Sequence, residues 1–250
     1  MRSLEDFQAV QELVALGHSD SEIRRLTDIP RSTIRDWRAG LGATSNRDRR
    51  DCGHNCSGDH DYAMLPSIEY CYVLGMYLGD GYINRTHRGV WRLRITCDER
   101  YPEIVSECRS ALTAIMPNNR AGAWSPSSSR CVIIYMYSRH WPCYLPHHGV
   151  GRKHERRIAL HPWQEAHVAN APHSFVRGLI HSDGCRTIAN DRGNPSVRYH
   201  FSNRSEDIKR LFCSTLDDLG IPWTRPSNRD IAIYRKEATA RLDEFVGPKK

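Results

Sequence analysis

Along the first forty positions the apolar residues recur at helical intervals. Phe7, Val10, Leu13 and Val14 share one face, and Gly17 stops the run. Ser19-Asp20-Ser21-Glu22 reads as a capping box that opens a short second helix, with Ile23 and Leu26 turned inward. A third helix is predicted from near Pro30, a residue suited to a first helical turn, to Gly40, with Ile34 and Trp37 inward. After Pro66 the pattern changes to helices alternating with pairs of strands. An apolar run from Val73 to Gly81 is followed by Tyr82 to Arg85, a polar turn at His87-Arg88-Gly89, and Val90 to Cys97. In that second strand Trp91, Leu93 and Ile95 alternate with Arg92, Arg94 and Thr96, the period of a sheet with one face buried. A helix from Pro102 to Ile115 carries Ile104, Val105, Cys108, Leu112 and Ile115 inward. Strands at Arg120 to Trp124 and Cys131 to Tyr137 come next, then a short helix around Trp141.

The same order then recurs. An apolar run from Val176 to Gly184 leads into Cys185 to Ala189, a turn at Asp191-Arg192-Gly193-Asn194, and Val197 to Ser202. Here Val197, Tyr199 and Phe201 alternate with Arg198, His200 and Ser202. A helix from Ser205 to Gly220, strands at Trp223 to Arg225 and Ile231 to Arg235, and a last helix complete the copy. It closes on Val246-Gly247-Pro248-Lys249, an echo of Val150-Gly151-Arg152-Lys153. The reading is an α+β fold of two related halves, about 67–165 and 172–250 of one domain at 67–250, behind an all-α module at 1–45 and a linker at 46–66.

The two apolar runs carry the candidate chemistry. Each has a small residue, three others, a second small residue, then Asp-Gly: Gly75, Gly79 and Asp80 in the first, Gly178, Ser182 and Asp183 in the second, 183 − 80 = 103 residues on. Small residues four apart lie on one helix face and let two backbones approach closely. Each helix would stop at its Gly. Helices packed so would bring Asp80 and Asp183 together at one end. Two carboxylates there repel unless a cation lies between them, and the helix C-termini add negative potential. Mg²⁺, or Mn²⁺, suits such a site, because Mg²⁺ takes few carboxylates and keeps several waters.

On these residues the chain resembles the LAGLIDADG homing endonucleases, with Leu78 and His181 at the motif's variable inner position. The resemblance covers roughly Ile68 to Lys250. It implies two pseudo-symmetric αββαββα repeats forming a saddle, with two four-stranded sheets in the DNA major groove and one metal-binding acid, Asp80 or Asp183, for each strand. It also implies that a basic residue after each repeat's last helix lies near the scissile phosphates, a place held by Lys153 and Lys249. Arg92, Arg94, Arg198 and His200 would face DNA from the sheets, and Arg152, Arg156 and Arg157 would contact phosphates.

Composition adjusts this picture modestly. Lys+Arg 36 against Asp+Glu 29 gives +7, which fits a polyanion partner, here double-stranded DNA. No apolar amino-terminal segment suggests a signal peptide or a membrane span, and the cysteines, nine in all, are expected as reduced thiols in a cytoplasmic protein. Cys71, Cys97, Cys108, Cys131, Cys185 and Cys213 are expected as small core residues. In the amino-terminal module Arg31, Arg35 and Arg38 share one face of the third helix, which looks like the reading helix of a helix-turn-helix domain. Acids such as Glu12, Asp20 and Glu22 leave that module without a net basic balance. In the linker Cys52, His54, Cys56 and His60 have the spacing of a Zn²⁺ knuckle, but no second pair is plain, and a flexible basic tether is the other reading. Three functions stand: a metal-dependent, site-specific double-strand DNA endonuclease acting as a monomer, a helix-turn-helix transcriptional regulator on a silent scaffold, and an RNA-splicing maturase. An intein is not expected, because the chain starts at Met1 and ends at Lys250 without a terminal nucleophile pair.

Overall fold

The computed structural model describes residues 4–38, 60–86 and 90–250. They fall into two compact units that divide between His60 and Asp61. The first holds three helices, α1 (Leu4–Ala15), α2 (Asp20–Thr27) and α3 (Arg31–Arg38). The Ser19–Glu22 capping box is formed, so two backbone N–H groups at the start of α2 are satisfied reciprocally. Asp28 takes a left-handed conformation (φ 50°), which ends α2 and turns the chain into α3. Val10, Ile23, Ile29, Ile34 and Trp37 form the core of this unit, with the Phe7 ring edge-on to Trp37 at 5.2 Å. Leu26 does not join it: the residue is 64% exposed, and Ile29, just past the turn, fills that place. Ile23 and Leu26 are three apart and share a helix face, so it is the packing of the unit, not helix geometry, that covers Ile23 and leaves Leu26 out.

The second unit is α+β. Its first repeat runs α4 (Ser67–Asp80), β1 (Gly81–Arg85), β2 (Trp91–Asp98), α5 (Pro102–Ile115), β3 (Gly122–Trp124), β4 (Cys131–Ser138) and α6 (Trp141–Tyr144). Its second runs α8 (Pro172–Asp183), β5 (Gly184–Asp191), β6 (Asn194–Ser202), α9 (Glu206–Asp218), β7 (Asp230–Ile233) and α10 (Lys236–Phe245). Between them lies α7 (Pro162–Asn170), which the hydrophobic pattern does not announce. Its buried residues are Gln164 and His167, polar groups bonded to Tyr70 and to Ser67 and Tyr62. Trp163, stacked on Tyr62 at 4.1 Å, and Val168 are the apolar residues it packs on the core, too few to make a periodic stripe.

The first sheet is antiparallel in the order β1-β2-β4-β3. Leu93, Ile95 and Cys97 point to the helices, as alternation predicts, and Arg92 and Arg94 to the other face. The second sheet has three strands, β5-β6-β7, where the family pattern implies four. Thr224 makes only an isolated bridge to Ala232. Pro222 and Pro226 flank it and have no N–H to give, which limits pairing on either side. Of the cysteines expected in the core, Cys71, Cys97, Cys108 and Cys213 are buried, but Cys131 is half-buried and Cys185 exposed. Among the described residues no helix is long and apolar enough to cross a membrane.

Candidate active site

The site is built on the contact between α4 and α8. Helix α4 is buried on all sides from Tyr70 to Leu78, so it is the central rod of the unit. A Cβ on Gly75 would lie 2.6 Å from the Phe175 carbonyl oxygen, and one on Gly178 2.3 Å from that of Tyr72. The two backbones therefore touch, and only glycine fits at either place. One turn on, a Cβ on Gly79 would lie 2.2 Å from Ser182 Oγ and 3.1 Å from Asp183 Cγ. Ser182 instead turns its hydroxyl back, donating to the carbonyls of Gly178 and Leu179 at 3.0 Å. The helices end at Asp80 and Asp183, which stand within electrostatic reach of each other. Gly81 and Gly184 begin the following strands with extended backbone (φ −89° and −111°), not the left-handed cap that their sequence position suggests. Glycine is required there by space: a Cβ would lie 2.4 Å from Tyr77 Cα and 2.7 Å from Ile180 Cα.

The acids differ in surroundings. Burial pushes the Asp183 carboxyl up to about 6, with the neighbouring Asp80 charge as the second cause. Asn203 donates to Asp183 Oδ2 at 2.6 Å, which favours the ionised form and orients the group. Asp80 remains open to solvent, yet protein packed behind it also raises its pKa against the pull of Lys153 and Lys249.

Both lysines come back to this point. Lys153 Nζ donates to the Gly79 carbonyl at 2.7 Å and lies 5.0 Å from the Tyr77 ring. Lys249 Nζ donates to the His181 carbonyl at 2.8 Å and lies 5.9 Å from the Tyr101 ring. Each thus caps the negative end of its own motif helix and faces both acids. Burial lowers Lys153 to about 8, and it also lowers Lys249. A cleft of about 430 Å³ opens beside Lys153 and Asp183, lined among others by Tyr77, Tyr82, Arg156 and Asn203. Asn203 and Arg204, which line it too, were not marked by any sequence pattern.

The other predicted residues sort by what holds them. Arg92 and Arg94 lie on the sheet face away from the core, over the Tyr137 and Tyr82 rings at 6.0 and 5.3 Å. Arg198 lies 5.3 Å from the Tyr234 ring, and its Nη2 is 2.5 Å from Asp191 Oδ1, so part of its charge is already matched. His200 is edge-on to the same tyrosine. Arg156 donates to the carbonyls of His147 and Gly151, whereas Arg152 and Arg157 are exposed, Arg152 3.9 Å from Glu155. On α3, Arg31 and Arg35 are exposed, but Arg38 bonds Asp20 at 3.0 Å and the His18 carbonyl at 2.7 Å. Arg38 thus braces its own unit rather than extending a free basic face. Cys52, His54 and Cys56 lie outside the described residues, and only His60 of the proposed Zn²⁺ set falls within them. The turn at His87-Arg88-Gly89 also lies outside.

Among the described residues no group of three or more His, Cys, Asp or Glu side chains is arranged to hold a metal. The Asp80–Asp183 pair still fits a hard divalent ion of the Mg²⁺ kind, which binds through one or two carboxylates and fills its remaining positions with water and substrate oxygens. Both carboxyl groups are raised toward protonation, chiefly by burial, so a bound cation would favour their ionised forms.

No protein-family model matches the chain, and no curated protein matches it. Solved structures do. I-DmoI in complex with DNA and Mn is 12% identical, with 72% of this chain and 97% of that chain covered and a TM-score of 0.49. The N-terminal LAGLIDADG domain of DUF199/WhiA is 16% identical, with 76% and 89% covered and a TM-score of 0.47. The homing endonuclease I-WcaI bound to its DNA recognition sequence is 10% identical, with 74% and 83% covered and a TM-score of 0.45. With identities this low and TM-scores below 0.5, these likenesses do not bear on the chemistry of the site.

Proposed function

We propose that the chain is a divalent-metal-dependent, site-specific double-strand DNA endonuclease of LAGLIDADG type. The observation that carries this reading is the pairing of Asp80 and Asp183 at the touching ends of α4 and α8, with Lys153 and Lys249 beside both. Two carboxyl groups held side by side, both raised by the protein packed around them, cost stability, and binding a cation and a phosphate offsets that cost.

Asp80 and Asp183 would hold Mg²⁺ or Mn²⁺, which supplies Lewis acidity and a more acidic bound water. The chain's own groups do the rest. Asn203 keeps Asp183 turned to the site. Lys153 and Lys249 present positive charge where a phosphodiester held at the two acids would build negative charge. The tight floor of Gly75 and Gly178 keeps the acids from separating. Arg92 and Arg94 on the first sheet, with Arg31 and Arg35 on α3, would contact phosphates and supply the salt-dependent part of DNA affinity. In this arrangement residues 1–45 are a separate DNA-binding module tethered to an endonuclease domain of two repeats.

The experiment is cleavage of supercoiled plasmid libraries of genomic fragments, with Mg²⁺ or Mn²⁺, by wild type and Asp80→Asn. Linear product from wild type alone is the expected result. A protein that binds one defined site tightly in the presence of metal and leaves it uncut is a regulator, and the endonuclease reading then fails.

A further inference from the structure

Lys249 stands on the last described segment of the chain, and that segment is tied through Arg177 and directly to α5 of the other repeat. Arg177 of α8 donates through Nη1 to the carbonyls of Phe245 at 2.5 Å and Val246 at 3.3 Å, the end of α10. Its Nε and Nη2 form a two-pronged bond to Glu107 of α5, both at 2.8 Å. Past Lys249, the Lys250 oxygen accepts from the backbone N–H groups of Glu103 and Ile104, again on α5. Between these two fastenings Gly247 turns left-handed (φ 64°), and Lys249 reaches the His181 carbonyl. The guanidinium fork suits this task, since one planar group can serve a carboxylate and two carbonyls at once. Leu74 stands at the matching place in the first motif, so the clamp is confined to one repeat.

We propose that Arg177 and Glu107 are positioning residues: they clamp the strap Val246–Lys250 to α5 of the first repeat and so set Lys249 beside Asp80 and Asp183. Arg177 touches neither acid and acts through Lys249. The catalytic consequence rests on the endonuclease reading above; the clamp itself does not. Loosening it disturbs one of two lysines and leaves Lys153, which Arg156 secures through His147 and Gly151 within its own repeat, in place. The two DNA strands are then expected to suffer unequally.

The test compares wild type, Arg177→Met and Glu107→Gln, each checked for cooperative unfolding. Lysine acylation by an N-hydroxysuccinimide acetate, read by peptide mass spectrometry, is the substrate-free arm. Lys249 should label several-fold faster in both variants and Lys153 at the wild-type rate. On the plasmid that wild type linearises with Mn²⁺, Arg177→Met should accumulate nicked circles whose nicks map to one strand. Equal labelling of Lys249 in variant and wild type overturns the clamp; nicks divided evenly between strands overturn its catalytic consequence, the setting of Lys249 for one strand. Faster labelling with a wild type that cuts no plasmid upholds the clamp and removes the endonuclease reading. Should Arg177→Met fail to fold, Glu107→Gln, which keeps a neutral acceptor for the guanidinium, carries both arms.

Discussion

Lys153 and Lys249 occupy matching places in the two repeats, each two residues after a left-handed glycine, Gly151 (φ 83°) and Gly247 (φ 64°). The same turn therefore delivers both ammonium groups to the C-terminal end of a motif helix. What lies behind them differs. Lys153 rests on a short 3-10 turn held by bonds inside its own repeat, while Lys249 depends on α5 of the other. The acids differ in the same sense: Asp183 is oriented by Asn203 and half-buried, Asp80 is open to solvent. The sheets differ too, four strands against three. Duplicated elements thus keep the geometry of the shared site and diverge in what supports it. The close helix contact leaves no room at Gly75 and Gly178, but a lysine can be fastened in more than one way.

The largest expected effect breaks the comparison outright. Asp80→Asn and Asp183→Asn should each lower double-strand product by about 100-fold or more, the scale for losing several kcal/mol of transition-state charge stabilisation. Mapping residual nicks would assign each acid to a strand; identical nick patterns from the two variants would end the idea that each serves one.

Next in size is the helix contact. Gly178→Val should destabilise the second unit by about 3 kcal/mol in urea unfolding, because its Cβ meets the Tyr72 carbonyl, a backbone atom that cannot step aside. Gly79→Ala should cost less, since the obstructing Ser182 is a side chain, and Ser182→Gly in the same chain should restore most of the loss. Equal costs at Gly79 and Gly178 would mean that the contact is not graded along the helices.

The pH dependence is a finer measure. Asp183, at about 6, lies above its unfolded value of about 4. Such a group binds more protons folded than unfolded, so the metal-free protein loses stability as pH rises through that window. Asp183→Asn should therefore melt higher than wild type above pH 6 and alike below the ordinary carboxyl range. At limiting Mg²⁺, metal affinity should rise with pH through about 6 as the proton is displaced. Cleavage should decline past about 8 as Lys153 loses its charge, and Lys153→Arg should remove that alkaline limb.

The smallest effects belong to DNA affinity. Arg94→Ala should weaken binding more than Arg198→Ala, because Asp191 already matches part of the Arg198 charge. Arg31→Ala and Arg35→Ala should each lower the salt slope by about one, without altering which strand is nicked.

Much of this was legible along the chain. Glycines and a serine at a spacing of four, each run closed by Asp-Gly, announced two helices able to touch and two acids at their ends, because helical periodicity alone puts those residues on one face. The capping box at Ser19 and the alternation in β2 were equally local. Tertiary structure decided the rest. Leu26 and Ile29 are both apolar, and only the packed unit shows which one is covered. Arg38, Arg156 and Arg198 read as one class of basic residue, but Asp20, two carbonyls and Asp191 claim them, partners brought close by folding and not by spacing. Helix α7 is held largely by the polar Gln164 and His167, which carry no periodic signal. The clamp on Lys249 joins residues 70 apart, Glu107 and Arg177, to the end of α10. A periodic pattern reports which face of an element is buried; which side chains meet across elements depends on how those faces pack.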